Sequence, residues 1–192
     1  METKALSPEK IQANTAKYLE LLGKLEIDLT PLARYLDEIK FFEAPANNQF
    51  AGAYPGGLCE LAVNTYFELA WLCNSYFPGK YSEVDIIKVA LFKDIYRAIM
   101  YEGYMKNTKD EAGNWISVPA YRTREERPAF GELGFSSYMI AKRFIDFTDE
   151  QIEAIIHARS TDLYTKDIHS IMREYPLVTL TKMAELTTYL DK

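Results

Sequence analysis

Lys93 and Asp94 stand side by side in an otherwise apolar stretch, and Arg97 follows one helical turn after Lys93. Positions i and i+4 of a helix share a face, so Lys93 and Arg97 together present two cations, a pattern suited to phosphate oxygens. A structural ion pair on a central helix accounts for Lys93 and Asp94 equally well. A second cluster, Tyr121-Arg122-Thr123-Arg124-Glu125-Glu126-Arg127, brings three guanidinium groups and an aromatic ring into one polar segment. Guanidinium forks match phosphate oxygens, and a tyrosine face stacks on a nucleotide base or a nicotinamide ring. Against that reading, Glu125 and Glu126 can compensate the arginines on an exposed loop. The chain has 14 tyrosines. Of these, Tyr66, Tyr96, Tyr101, Tyr104 and Tyr138 can line a nucleotide pocket, although core packing is the commoner use of such residues. His157 and His169 flank an expected loop and lack metal-ligand spacing. There is no dinucleotide fingerprint, Walker loop, Gly-x-Ser-x-Gly elbow or Cys-x-x-Cys pair, so no cofactor is expected.

The elements that must position these residues read as helices. Ser7-Pro8 is an N-cap followed by proline at the first helical position, opening a helix to about Leu25. A second helix spans about Thr30 to Ile39, and a loop rich in Ala, Asn, Pro and Gly runs from Phe41 to Gly57. The stretch from Gly57 to about Phe77 is apolar on much of its circumference, which predicts a central, buried helix. Ser82 and Asp85 form a capping box for a further apolar helix that carries Lys93, Asp94 and Arg97 and reaches Ile99. Turn chemistry at Asp110-Glu111-Ala112-Gly113-Asn114, between Tyr104–Thr108 and Trp115–Val118, predicts a small inserted β-hairpin. A polar loop over Arg122 to Pro128 leads to a helix over Phe135–Phe144. Thr148 and Gln151 cap another helix to about Ala158, and after a loop Pro176 opens a last helix ending near Leu190.

Composition bounds the rest. The 192 residues are 48% hydrophobic and 26% charged, with 22 basic against 28 acidic side chains and a net charge of −6. One globular domain fits that length, with the helices of residues 1–40 preceding a core over residues 41–192. The negative balance argues against a broad cationic face for duplex nucleic acid. No apolar run approaches the roughly 18 residues a membrane span needs, and no secretory leader is visible, so a cytoplasmic protein is expected. Cys59 and Cys73 fall on one helix about 21 Å apart, too far for a disulfide, and are expected to be reduced core residues.

The order of several segments resembles the phage and prophage branch of the HD-domain phosphohydrolases. Ala44-Pro45-Ala46 and Ala51-Gly52-Ala53-Tyr54-Pro55-Gly56-Gly57-Leu58 correspond to a "GAYEGGLLEHSLNVY" stretch, and Leu91-Phe92-Lys93-Asp94-Ile95 to "ALFHDLCK". Gly113-Asn114-Trp115, Gly131-Glu132-Leu133-Gly134-Phe135-Ser136-Ser137 and Pro176-Leu177-Val178 follow in the family's order. The resemblance spans roughly Phe41 to Lys192 and implies a mainly α, HD-like helical bundle with a small inserted hairpin.

The likeness breaks at the metal ligands. Leu61 stands at the first histidine position, Lys93-Asp94 at the His-Asp doublet, Leu133 and a residue at or next to Ala158 at later histidine positions, and Glu185 at the late aspartate. Leucine and alanine donate no lone pair, and a catalytic metal needs about three protein ligands, so no metal and no catalytic residue is expected. An ammonium at Lys93 replaces the charge of the ion. The resemblance therefore implies an inactive HD-like protein that binds and sequesters a phosphate-containing nucleotide, linear or cyclic, in a viral anti-defence setting within the host cytoplasm. Its expected ligand contacts are Lys93, Asp94, Arg97, Tyr121, Arg122 and Arg124, joined by Tyr54 and Arg159, which face the cavity if the family fold holds. Two alternatives stand beside this. One is a metal-dependent phosphohydrolase or phosphodiesterase with relocated ligands among Asp94, Glu60, Glu185 and Asp162. The other is a protein-interaction module without a small ligand. Self-association is left open.

Overall fold

The computed structural model describes residues 5–126, 131–159 and 166–188. It is mainly helical, with one two-stranded antiparallel hairpin. In chain order the elements are α1 (Pro8–Gly23), α2 (Thr30–Glu38), a 3-10 turn (Phe41–Glu43), α3 (Gly57–Tyr76), α4 (Glu83–Phe92), α5 (Arg97–Met100), β1 (Tyr101–Lys109), β2 (Trp115–Thr123), α6 (Leu133–Ala141), α7 (Asp149–His157), α8 (Lys166–Glu174) and α9 (Pro176–Thr188).

Local chemistry sets most of the helix starts. Ser7 Oγ accepts from the Lys10 N–H ahead of α1. Reciprocal capping boxes, Ser82 with Asp85 and Thr148 with Gln151, open α4 and α7. The second carboxylate oxygen of Asp85 accepts from Gln151 Nε2 at 2.7 Å, so the two caps are bonded to each other and fix the start of α4 against that of α7.

Helix α3 forms the centre, packed by α1, α4 and α9, while α7 lies against α4, α6 and α9. One buried apolar cluster runs from Tyr18, Leu21 and Leu22 in α1 through Leu58, Leu69 and Leu72 in α3 to Leu177, Val178 and Ala184 in α9. Tyr18 is enclosed there against Phe41 and donates its hydroxyl to the Leu91 carbonyl at 3.1 Å. The N-terminal helices thus share the core with the remainder of the chain. Cys59 and Cys73 are free and buried, and burial pushes both thiols up to about 12. Among the described residues no helix is long and apolar enough to cross a membrane.

Two close approaches demand glycine. A Cβ on Gly57 would lie 2.3 Å from the Gly52 carbonyl oxygen, where the loop before α3 folds back on the helix start. A Cβ on Gly134 would lie 2.2 Å from the Ile156 carbonyl oxygen, so α6 and α7 meet backbone to backbone.

The structure departs from the sequence reading in four places. The helix expected to reach Ile99 stops at Phe92. From there the backbone makes i to i+3 bonds, with Arg97 N–H on Asp94 O at 2.9 Å and Ala98 N–H on Ile95 O at 3.2 Å, before the single turn α5. At three residues per turn, Asp94 and Arg97 eclipse, which aligns their side chains for pairing. The hairpin is longer than its turn signals suggest and takes in Tyr101, Tyr121, Arg122 and Thr123. The helix expected over Phe135–Phe144 is α6, shifted two to three residues toward the N-terminus. Helix α8 occupies a stretch before Pro176 where a loop is expected; its Ile168, Ile171 and Met172 carry an i, i+3, i+4 apolar spacing, with Ile168 buried and Ile171 and Met172 packed on the core.

Candidate functional site

Five charged side chains converge where the α4–α5 turn meets α9 and the end of α7. Lys93, Asp94 and Arg97 come from the turn, Glu185 from α9, and Arg159 from just beyond α7. The Lys93 Nζ ion-pairs with both Asp94 Oδ2 and Glu185 Oε2. Asp94 Oδ1 accepts from Arg97 Nε at 2.7 Å and from Arg159 Nε at 3.2 Å. Arg159 Nη2 also pairs with Glu185 Oε1, and Arg97 Nη1 donates to the Ala46 carbonyl. Lys93 is 1% exposed, Arg97 3%, Asp94 4% and Glu185 6%, whereas the Arg159 side chain keeps 28% exposure.

Three cations facing two carboxylates leave one net positive charge, and its outlet is the part-exposed Arg159. Burial alone would raise the Asp94 carboxyl. The charges of Lys93, Arg97 and Arg159 outweigh that effect and hold it well below the usual carboxylate range. Burying such a cluster is tolerable because each charge has a partner, since an isolated buried charge is heavily penalised. Through Arg97 the cluster also reaches the loop before α3: Ala46 N–H bonds Gly52 O at 2.8 Å and Leu58 N–H bonds Ala44 O at 3.0 Å, so that segment is tied to α3 and to Arg97 at once.

The backs of Ala44 and Pro45 form one wall of an open groove of about 750 Å³. Its other walls are the end of α2, Ala98 and Ile99, and the base of the hairpin at Tyr101, Gly103, Tyr121 and Arg124. Lys40, in the left-handed region at φ 52°, lies between α2 and the 3-10 turn and lines the groove. Cations Lys40 and Arg124 and carboxylates Glu38, Glu43 and Glu102 are mixed along it. Tyr121 also lines a neighbouring hollow of about 460 Å³ beside Phe50 and Tyr104.

The expected ligand contacts therefore separate into three sets. Lys93, Asp94, Arg97 and Arg159 do come together, but as an internally paired cluster in which only Arg159 is presented at the surface. Tyr121 and Arg124 line the groove. Arg122 sits on the exposed hairpin, where its Nε meets Glu102 Oε1 at 2.7 Å, and Tyr54 donates its hydroxyl to Glu60 Oε2 at 2.6 Å. Both of these bond to carboxylates outside the buried cluster.

Arg127 and Asp162 lie outside the described residues. Of the remaining tyrosines, Tyr66 and Tyr96 are buried in the core, and Tyr104 is exposed on the hairpin. His157 pairs with Glu153 at 3.1 Å and His169 is exposed. Among the described residues no group of three His, Cys, Asp or Glu side chains is placed to hold a metal ion. Sequence reasoning missed the groove residues Glu38, Lys40, Glu43 and Tyr101 as a set, because they meet only after the hairpin folds beside α2. No protein-family model, curated protein or solved structure matches the chain.

Proposed function

We propose that the protein is a non-catalytic binder of a small phosphate-containing nucleotide, held in the groove at the hairpin base and retained intact. The observation that carries this reading is the Lys93 ammonium bridging the Asp94 and Glu185 carboxylates in a buried cluster. Those two acids are the ones an HD-like hydrolase would turn toward a metal ion. With an ammonium between them and two guanidinium groups beside them, they are neutralised without an ion, and no water is activated there.

The groove supplies the place for a ligand, since about 750 Å³ falls within the range of small-molecule sites. Tyr121 and Tyr101 offer faces for a base, Arg124 and Lys40 offer donors for phosphate, and the carboxylates accept from ribose hydroxyls or an exocyclic amine. Three carboxylates along the same walls disfavour a triphosphate and favour a monophosphate or cyclic phosphate. In a viral setting such binding without turnover sequesters a host signal.

Calorimetry in the presence of EDTA, against cyclic nucleotides, mononucleotides and ADP-ribose, tests the proposal. We expect metal-independent binding of a mono- or cyclic phosphate, intact ligand on recovery, and about a tenfold or greater loss in Tyr121→Ala and Arg124→Ala, the scale of a charge-assisted bond. Hydrolysis that requires magnesium or manganese replaces it with the enzyme reading. Silence across the whole panel leaves a protein-interaction module.

A further inference from the structure

The β1–β2 hairpin packs mainly strand on strand, with α5 at its base and with the end of α2 and the loop at Phe50 bordering one side of it. An isolated two-stranded hairpin is marginally stable in water, and an open strand edge is a template for another strand. Among the described residues no backbone hydrogen bond reaches the outer edge of either strand. The Tyr101 carbonyl meets a side chain there, Arg124 Nε at 3.1 Å.

The two edges are not equivalent. Arg124 N–H bonds Met100 O at 3.0 Å and Asp110 N–H bonds Asn114 O at 2.9 Å, one at each end of the ladder. Antiparallel bonding alternates, so the residues bonded inward on β1 are Glu102, Tyr104, Lys106 and Thr108. Gly103, Met105 and Asn107 therefore direct their N–H and C=O groups outward. On β2, Pro119 lies opposite Met105, which places its ring nitrogen on the outer edge and blocks pairing there. The edge of β1 carries no proline.

We propose that β1 is a dimerisation edge, on which a second copy of this chain pairs its own β1 antiparallel about a two-fold axis at Tyr104. In that register Gly103 of each copy bonds Met105 of the other, Tyr104 faces Tyr104, and Glu102 faces Lys106 twice. Glu102 already accepts from Arg122 on one side through Oε1, so the second copy's Lys106 completes a cation–carboxylate–cation row across the joined sheet. Shifting the register by two residues either way loses both charge pairs, and a four-residue shift toward the tip sets Lys106 against Lys106. The result is a four-stranded sheet with a proline-blocked β2 strand at each outer edge. Gly103 also borders the groove, but the pairing uses its backbone and does not depend on what the groove binds.

Charge exchange tests it in the full chain by light scattering and sedimentation. Wild type is expected at twice the 22.1 kDa chain mass. Lys106→Glu alone and Glu102→Lys alone set like charges across the axis and are expected to be monomeric. Mixing the two variants puts a lysine opposite a glutamate at both cross-axis pairs again, with the signs redistributed between the copies, and should restore a heterodimer. Independently, Tyr104→Cys should cross-link on oxidation, since directly opposed residues of a non-hydrogen-bonded pair lie about 4.5 Å apart at Cα. Thr108→Cys, on the same face of the same strand, should not. A monomeric wild type overturns the proposal. So does a dimer that persists in Lys106→Glu, or a mixture of the two charge variants that stays monomeric.

Discussion

Removing the Lys93 ammonium is the sharpest perturbation of the buried cluster. With Lys93, Arg97 and Arg159 facing Asp94 and Glu185, Lys93→Ala takes the net charge from +1 to 0 and leaves a cavity about the length of a lysine side chain. Neither carboxylate is stranded: Asp94 keeps Arg97 and Arg159, and Glu185 keeps Arg159. Breaking a buried pair costs about 3–5 kcal/mol when an uncompensated charge remains. Here the partners stay compensated, so that penalty does not apply in full, and the lost pairing together with the cavity sets the expectation at about 3 kcal/mol. Asp94→Ala is the opposite case. It takes the net charge to +2 and removes the acceptor shared by all three cations, so it should cost more than Lys93→Ala, toward about 5 kcal/mol.

Urea unfolding at neutral pH measures both differences, and thermal melts should follow, with Lys93→Ala lowered by about 6–12 °C for a chain of this size. The order of the two variants carries the reasoning. If Lys93→Ala is the more damaging, the cluster is not held by its shared carboxylate. A change below about 1 kcal/mol in both would mean that the five charges contribute independently through solvent and do not act as one buried unit.

Three further outcomes follow from particular contacts. The Asp94 carboxyl is held below its unfolded value of about 3.9, so the stability it contributes is fully present above that pH and is lost as pH falls through the lower, folded value. An acid titration of unfolding free energy should therefore show Asp94→Asn losing its deficit relative to wild type below about pH 4, and a deficit that stays constant there would contradict the shift. Gly134→Ala forces a Cβ to 2.2 Å from the Ile156 carbonyl, so α6 must move off α7 and chemical denaturation should show a loss of about 1–3 kcal/mol. Thr65 Oγ1 and Thr181 Oγ1 are buried with no hydrogen-bond partner among the described residues. Replacing either by valine should raise the urea midpoint, by about 1 kcal/mol of stability, because an unpaired buried hydroxyl is removed.

The features legible in the chain are those whose cause is local. Ser7, Ser82 and Thr148 cap the helices their sequence context assigns them because each bonds a residue three positions on. Adjacent charges at Lys93 and Asp94 in an apolar stretch signal a special site, and the late acidic residue at Glu185 enters through the family resemblance. What escapes is non-local or depends on pairing. The end of α4 at Phe92 is set by the partners Lys93 and Asp94 find 65 and more residues away, at Arg159 and Glu185, and helix propensity in Ile95 to Ile99 says nothing about them. The direction of Arg97 is illegible for the same reason, since its acceptor is the Ala46 carbonyl on a loop before α3. Helix α8 is hidden by its brevity and polarity, although its apolar spacing is there to be read.

The geometry separates two roles that the sequence merges. Lys93 and Arg97, buried to 1% and 3% exposure, are bonded to protein acceptors, and those bonds join the α4–α5 turn to α9 and to the loop at Ala46. That same loop forms a groove wall at Ala44 and Pro45, so the cluster shapes the groove without entering it. The two sets of variants should then dissociate. Changes at Lys93, which does not bond Arg97 or the groove loop, should lower stability and alter binding in proportion to the fraction unfolded. Changes at Tyr121 or Arg124, which lie at the groove and outside the core, should alter binding with little effect on the unfolding midpoint. A Lys93→Ala protein that remains folded yet loses ligand, with Tyr121→Ala and Arg124→Ala binding as wild type, would return the site to the cluster and require Lys93 to leave its carboxylates when ligand arrives.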